Sequence, residues 1–304
     1  MSANKSKYLI ILAGPTAVGK TSTSIKLAKM LDAEVFSCDS RQLYKEMTIG
    51  TAKPSDEELT EVKHHFIGTQ SILETYSAGD YERAVDLAFA EYFQNKTTAI
   101  LTGGTGLYIN AVTKGLDDFP TINQVVLNEL NTKAADGNLD ELLAELQVKD
   151  PITYKTIDKE NSRRVVRALS VCLVEGKPYS SYLRKAEKEL DYTPIFIFLE
   201  RDRAELYQRI NKRVDLMMAA GLEKEARKLY IHQDKKALKT VGYSELFNYF
   251  EGKHTYSEAV ELIKRNSRRY AKRQMTWFRN QGNYKNIDAA DFDNLLDYVK
   301  SQIS

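Results

Sequence analysis

Gly14-Pro15-Thr16-Ala17-Val18-Gly19-Lys20-Thr21 matches the pattern G-x-x-x-x-G-K-[ST] at every fixed position. Its surroundings have the right character as well. Tyr8-Leu9-Ile10-Ile11-Leu12-Ala13 is a short apolar run that reads as a buried strand. Ser24 to Leu31 places Ile25, Leu27, Ala28 and Leu31 among lysines, as a surface helix does. Strand, glycine loop and helix together form a phosphate cradle. Backbone N–H groups at the helix start point at the anion, and the helix dipole favours negative charge there. Lys20 adds a point charge, and Thr21 offers its hydroxyl to Mg2+. An ordinary strand–turn–helix that happens to contain glycines is the alternative, and eight matching residues in context argue against it. Gly14, Pro15, Thr16, Ala17, Val18, Gly19, Lys20 and Thr21 therefore read as a diphosphate site. They do not say whose diphosphate.

Composition bounds the rest. At 304 residues, the chain has room for a substantial core and a second domain or large insertion. No apolar run approaches the about 20 residues that a membrane helix needs. Met1 to Lys7 is too short a lead-in for a signal or transit peptide. Cys38 and Cys172 are the only cysteines and lie far apart, which supports neither a disulfide framework nor a zinc site. They read as buried thiols, and a cytoplasmic, monomeric enzyme without membrane association is the expectation. The net charge of +2 argues neither for nor against nucleic acid. The C-terminal third, however, gathers Lys264, Arg265, Arg268, Arg269, Lys272, Arg273 and Arg279 into a short span.

Beyond the first helix, Ala33 to Cys38 reads as a second strand that ends in Asp39-Ser40-Arg41-Gln42. Carboxyl ends of parallel strands line the ligand crevice, so Asp39 would face the same crevice as the glycine loop. Capping, or pairing with Arg41, is its plainer role. Ile49-Gly50-Thr51-Ala52-Lys53-Pro54 reads as a substrate-facing loop. Adjacent histidines point in different directions on any regular element, so His64 and His65 suit packing or polar support better than one metal. Ala78 to Gln94 carries a helical apolar stripe. Thr97 to Leu101 reads as a third strand running into Thr102-Gly103-Gly104-Thr105-Gly106. A nucleoside triphosphatase often has a Walker-B aspartate at such a place. Its absence weakens an ATP-hydrolysis reading and leaves Thr105 as a neutral donor beside the cradle.

From Leu116 to about Thr193 strand signals give way to helix-like pieces: Val125–Lys133, Leu139–Leu146, Arg163–Val174 and Tyr179–Lys188. Pro194 to Leu199 then resumes a buried strand. The expected fold is α/β, a P-loop-like parallel sheet flanked by helices, with residues 1–115 and 194–304 as the core and 116–193 as an all-helical insertion. Arg163, Arg164 and Arg167 share about one helical turn, as either a basic binding edge or a solvated face. Arg209 and Arg213, four apart on a helix, share a face; they read either as a surface ladder or as a diphosphate site, since a guanidinium fork suits two of its oxygens. On a final helix from about Ser257 to Arg279, a spacing of about 100° per residue separates two sides. Lys264, Arg265, Arg268, Arg269, Lys272 and Arg273 take one; Ala259, Val260, Ile263, Tyr270, Trp277 and Phe278 take the other. Such a basic face repels itself unless a polyanion lies nearby; a solvated face is the alternative.

Together these stretches resemble the tRNA dimethylallyltransferase (tRNA isopentenyltransferase) family over nearly the full length. The residues that carry the resemblance are the Gly14–Thr21 loop, Asp39-Ser40-Arg41-Gln42-Leu43-Tyr44, Ile49 to Pro54, His64-His65 and Gly103 to Tyr108. Arg163-Arg164-Val165-Val166-Arg167-Ala168-Leu169, Val241-Gly242-Tyr243 and Ala271-Lys272-Arg273-Gln274-Met275-Thr276-Trp277-Phe278-Arg279 complete the set. Many kinases share the glycine loop alone; the combination is specific. Departures from the family pattern occur at Ile67-Gly68, where an acid is usual, and at Ser170, where Glu is frequent. With no Cys/His cluster after the last basic helix, the chain resembles the compact bacterial type.

The resemblance implies transfer of the prenyl group of dimethylallyl diphosphate to N6 of the adenosine immediately 3′ of a tRNA anticodon. Lys20 and Arg213 would stabilise the departing diphosphate with Mg2+ held by Thr21, and Thr105 would donate to the departing oxygen. Asp39 would orient the adenine amine and take its proton. The base would be flipped out of its stack to reach the pocket. The tRNA anticodon stem-loop would be held by Asp39, Ser40, Arg41 and Gln42, by Arg163, Arg164, Val165, Val166 and Arg167, and by Val241, Gly242 and Tyr243. Lys272, Arg273, Gln274, Trp277 and Arg279 would add to that surface. The closest rival is an adenylate isopentenyltransferase acting on free AMP, ADP or ATP, which needs no basic insertion. A P-loop small-molecule kinase and a non-catalytic RNA-binding protein with a vestigial loop are more distant rivals.

Overall fold

Leu9 to Ala13 shows no polar alternation, so a strand made from it must be covered on both faces. The computed structural model describes residues 6–120, 122–183 and 188–303. In chain order it contains β1 (Tyr8–Ala13), α1 (Lys20–Leu31), β2 (Glu34–Ser37), α2 (Asp56–Glu61), β3 (His64–His65), α3 (Ala78–Tyr92), β4 (Thr98–Gly103) and α4 (Gly106–Thr113). There follow α5 (Gln124–Ala135), α6 (Leu139–Lys149), α7 (Pro151–Thr156) and α8 (Ser162–Glu175). The chain continues with β5 (Thr193–Glu200), α9 (Arg203–Ala219), α10 (Leu222–Leu229), α11 (Tyr243–Phe250), α12 (Tyr256–Arg279), β6 (Lys285–Asp288) and α13 (Phe292–Gln302). No helix among the described residues is long and apolar enough to cross a membrane.

The strands form one parallel sheet in the order β3-β2-β4-β1-β5-β6. This is the expected fold class. Successive side chains of β1 point to opposite faces, and the two sets enter different cores. Ile10 and Leu12 pack with Ile25, Leu27 and Ala28 of α1, whereas Leu9, Ile11 and Ala13 pack with Tyr81, Val85 and Phe89 of α3. Each such fully buried Leu or Ile contributes about 1.5–3 kcal/mol. Ala13 lies level with Gly103 on one side and Phe198 on the other. The loops leaving β1, β4 and β5 therefore open along one edge, where such sheets bind ligands.

Two compact units result: Met1–Lys114 with Glu189–Ser304, and Gly115–Lys188. The first holds the sheet and a third, smaller core in which Val214, Leu222, Ala226, Tyr243, Phe247 and Ile263 pack with Tyr44 and Met47. The second packs α5, α6 and α8 around Leu130, Leu142, Leu146, Val165, Val166, Leu169 and Cys172. Val165 and Val166, expected to touch RNA, are 0% and 2% exposed. They occupy the apolar face of α8 and cannot make that contact.

Two helical expectations change in this unit. Pro151, read as punctuation, is instead the first residue of α7, with Asp150 as its cap. Of the helix expected over Tyr179–Lys188, the described start is a 3-10 turn, Tyr179–Tyr182, and residues 184–187 lie outside the described residues. The Asp150 carboxylate accepts from Ser180 N (2.7 Å) and Ser180 Oγ (2.9 Å). Those bonds tie the turn to the start of α7.

Candidate active site

Helices α2, α3 and α12 begin with capping boxes, Ser55/Glu58, Ser77/Asp80 and Thr255/Glu258. Helix α1 begins at Gly19 with no side-chain cap. Ala17 (φ 65°) and Gly19 (φ 118°) both adopt left-handed backbone, and alternation of this kind turns neighbouring N–H groups into one concavity that suits an anion. The loop's carbonyls are held by cations. Lys20 Nζ donates to Gly14 O (3.0 Å) and Pro15 O (2.9 Å). Arg209 Nε donates to Ala17 O and Arg201 Nε to Val18 O, each at 2.8 Å. With Thr16 N held by Gln274 Oε1 (3.0 Å) and Val18 N by Pro15 O (3.4 Å), the Ala17, Gly19, Lys20 and Thr21 amides have no protein acceptor among the described residues, and carbonyls held by fixed cations make the loop a preorganised cradle.

The cradle opens on a cleft of about 620 Å³ whose walls include Asp39 to Gln42, Gly50 to Ala52, Arg213, Tyr270 and Gln274. Thr21 also lines it. Burial lowers the Lys20 pKa to about 8, opposed by the charge of Asp39 and reinforced by Arg213. Burial also lowers the Arg213 pKa, again opposed by Asp39. Arg213 reaches Thr16 Oγ1 through Nη1 (3.3 Å) and Thr51 O through Nη2 (3.4 Å). Two desolvated cations and one carboxylate thus share a cleft, an arrangement that favours an incoming polyanion.

Asp39 is carried by the end of β2, where Tyr81 Oη donates to Ser37 O (2.9 Å) and stacks on Tyr108 at 4.2 Å. Its Oδ1 accepts from Arg41 N (2.8 Å) and Gln42 N (3.3 Å). Among the described residues Oδ2 has no protein hydrogen bond, so one oxygen fixes the turn and the other is left unengaged on a residue that lines the cleft. The Thr105 hydroxyl, expected beside the leaving oxygen, accepts from Ser40 N (3.1 Å) and contacts Ser40 Oγ (3.3 Å). It joins the start of α4 to the Asp39 turn.

Several residues expected to bind RNA have other work. The Gln42 amide donates to Thr51 O (3.3 Å) and Ala52 O (3.0 Å). One Arg41 guanidinium nitrogen donates to Ala237 O at 3.0 Å. Gln274 is 6% exposed; its Oε1 accepts from Thr16 N and its Nε2 donates to Gly104 O, both at 3.0 Å. A Cβ on residue 104 would lie 2.1 Å from that nitrogen, so glycine is what allows the brace. Tyr243 is fully buried, while Val241 and Gly242 line the cleft. Trp277 is half-buried and packs where a side chain on Gly106 would stand.

The basic side of α12 is not uniformly available. Lys264 is paired with Asp215 (2.8 Å) and Glu261 (3.1 Å), and Arg268 is bonded to Asn211. Lys272, Arg273 and Arg279 are exposed, with Arg273 5.7 Å from the Tyr270 ring centre. In the helical unit Arg163 and Arg164 are exposed, and Arg167 lies over Phe119 at 5.6 Å. His65 bonds Glu34 (2.6 Å) and stacks on Phe36, while His64 Nδ1 meets Val62 O (2.7 Å). The two histidines share no ligand.

Arg201 and Glu225 belong to the site and are absent from the sequence expectations, and Tyr270, expected on the packed side of α12, is instead exposed and lines the cleft. Arg201 directly follows a strand, and the rule that strand ends face the crevice was enough to find it. Glu225 carries no sequence signal, because the backbone amides it binds lie 175 to 177 residues upstream.

Comparison with known proteins identifies the family. Residues 42–281 match the family model described as IPP transferase. The tRNA dimethylallyltransferase of Christiangramia forsetii is 47% identical over 98% of this chain and 99% of its own length. The tRNA dimethylallyltransferase 1 of Bacteroides fragilis is 43% identical over 98% and 99%. Among solved structures, the full-length tRNA isopentenylpyrophosphate transferase of Bacillus halodurans superposes with a TM-score of 0.72 at 37% identity, covering 98% of this chain and 97% of that one. A eukaryotic dimethylallyltransferase acting on tRNA gives a TM-score of 0.81 at 26% identity, covering 93% and 74%. The chain belongs to the tRNA dimethylallyltransferase family.

Proposed function

We infer that this protein transfers the dimethylallyl group of dimethylallyl diphosphate to the exocyclic N6 of the adenosine immediately 3′ of a tRNA anticodon. The observation that carries this reading is the shared cleft: an uncapped glycine loop, Lys20, Arg213 and Asp39 line it together, and burial weighs on both cations. A leaving-group site and an amine-accepting carboxylate in one cleft suit group transfer from a diphosphate.

In the reaction the N6–C1 bond forms as the C1–O bond to diphosphate breaks. Charge grows on the departing oxygens, where the loop amides, Lys20 and Arg213 stabilise it; removing one such donor typically costs about 10²–10³ in rate. Asp39 accepts a hydrogen bond from the amine and takes the proton that N6 loses on alkylation. Thr105 acts through Ser40 on the Asp39 turn, and is read as a neutral donor to the departing oxygen.

Mg2+ fits this chemistry as an ion brought by the substrate phosphates. Among the described residues no group of three or more His, Cys, Asp or Glu could hold a metal by itself, and Mg2+ commonly uses few protein ligands plus phosphate oxygens. Thr21, at the cleft end of α1, would supply the hydroxyl, and the ion would neutralise charge on the diphosphate. Exposed Arg163, Arg164, Lys272, Arg273 and Arg279 are read as contacts to the RNA backbone, and the base reaches Asp39 by leaving its stack. The enzyme is read as monomeric and cytoplasmic.

Incubation with labelled dimethylallyl diphosphate, Mg2+ and either tRNA or AMP tests the reading. Label on tRNA is expected. Label mainly on AMP would instead indicate an adenylate isopentenyltransferase, and diphosphate-independent ATP consumption a kinase.

A further inference from the structure

Residues 48–54 form a wall of the cleft through Gly50, Thr51 and Ala52, and one carboxylate holds that wall from behind. Glu225 Oε2 accepts from Thr48 N (3.0 Å) and Ile49 N (2.8 Å), and Oε1 from Gly50 N (2.9 Å). Tyr243 Oη completes the set, donating to Oε1 at 2.6 Å. Three consecutive amides on one carboxylate fix the direction of each peptide plane, because charge-assisted bonds are short and about twice as strong as neutral ones. The Tyr243 ring leaves no slack: a Cβ on residue 50 would lie 2.5 Å from it.

The same segment offers its carbonyls to the cleft side. Thr51 O accepts from Arg213 Nη2 (3.4 Å) and Gln42 Nε2 (3.3 Å), and Ala52 O accepts from Gln42 Nε2 (3.0 Å). Gln42 belongs to the turn whose amides fix Asp39 Oδ1. A continuous set of hydrogen bonds therefore runs from Glu225 through the backbone of residues 48–52. It ends on the guanidinium assigned to the leaving group and on the turn that carries the carboxylate.

We propose that Glu225 and Tyr243 are positioning residues for the transfer: they fix residues 48–52 so that the Thr51 carbonyl orients Arg213 toward diphosphate and the Gln42 bonds steady the Asp39 turn. The proposal rests on the reading that Arg213 meets the leaving diphosphate. Neither residue touches substrate. Both act through the wall. Without the carboxylate the three amides would lose their common acceptor, and Arg213 would regain rotational freedom in a site where a small misplacement is costly.

The test is a double-mutant cycle read by two assays, calorimetric binding of inorganic diphosphate and steady-state transfer to tRNA. Glu225→Gln keeps the size but turns an amide donor against backbone donors. It is expected to weaken diphosphate binding and lower kcat by about 10-fold or more, with the KM for tRNA within about threefold. Combined with Arg213→Gln, it should add little to the loss of Arg213→Gln alone, since coupled residues are non-additive. Tyr243→Phe keeps the ring beside Gly50 and should move both readouts in the same direction by a smaller factor. It decides the matter if Glu225→Gln does not fold. Losses that add fully in the cycle, or a folded Tyr243→Phe and Glu225→Gln with wild-type kcat and diphosphate affinity, overturn the proposal. Failure of the wild-type protein to transfer prenyl while it binds diphosphate would instead count against the proposed function.

Discussion

Lys20 is the residue whose chemistry is most open to measurement. Burial holds its pKa near 8 against an ordinary 10.5. The unfolded chain therefore binds more protons than the native one between about pH 8 and 10.5, so stability rises with pH across that window. Below about pH 8 the buried charge costs of the order of 3 kcal/mol. Diphosphate brings opposite charge and should raise the Lys20 pKa. Binding at pH 8.5–9, a range set by that depressed value, should thus take up a proton from buffer by way of Lys20. Calorimetry in buffers of different ionisation enthalpy measures the uptake. Lys20→Arg, permanently charged, should reduce it; equal uptake in both proteins would remove Lys20 as its source. Asp39 gives a second test. Asp39→Asn leaves the turn an oxygen acceptor but no proton-accepting carboxylate, so transfer should fall by at least about 10²-fold with tRNA affinity nearly unchanged. Full retained activity would exclude Asp39 from the chemistry. The aspartate could be read from sequence because it ends a strand. The hydrogen bonds that occupy Gln42 and Gln274 could not, because their partners are backbone carbonyls and an amide brought together only by folding.

Helix α12 illustrates what periodicity conveys and what it misses. Its two sides were legible, and Ala259, Ile263 and Phe278 are indeed buried. Ala271 and Gln274 are buried as well: a polar residue on the packed side looks wrong until its two bonds to Thr16 and Gly104 are seen. Likewise, the sequence counts Lys264 and Arg268 as equal to Arg273, although α9 supplies Asp215 and Asn211 to the first two. This difference sets an expectation for RNA binding. Arg273→Ala, and Arg164→Ala on α8, should each lower the slope of log affinity against log salt by about 0.7–0.9, whereas Arg268→Ala should change it less. Equal slopes for all three variants would argue against the assigned contacts. Helix α12 also supports the cradle, so Gly104→Ala should displace the Gln274 amide and lose two hydrogen bonds of about 1 kcal/mol each. A drop in unfolding free energy near 2 kcal/mol is expected; an unchanged midpoint would show that the brace is dispensable.

The molecule as a whole follows from a short list of constraints. An apolar strand run, a glycine loop and a lysine-studded helix specify a doubly covered parallel sheet with an anion site at its edge. That much was readable because local pattern and tertiary position agree. Short pieces such as β3, β6 and α7 were not readable, since two to six residues carry no usable period. The joining of residues 48–52 to Glu225 was invisible for a different reason: a carboxylate that captures backbone amides leaves no side-chain motif at its target. What unites fold and chemistry is one edge of one sheet, where β1 delivers the cradle and β2 delivers Asp39. The most direct measurement is a diffraction structure of the protein with an unreactive thio-analogue of dimethylallyl diphosphate. Both phosphates are expected within hydrogen-bonding distance of the Ala17, Gly19, Lys20 and Thr21 amides, with the prenyl carbon directed toward Asp39. Phosphates bound elsewhere, or an Asp39 side chain turned out of the cleft, would contradict the account.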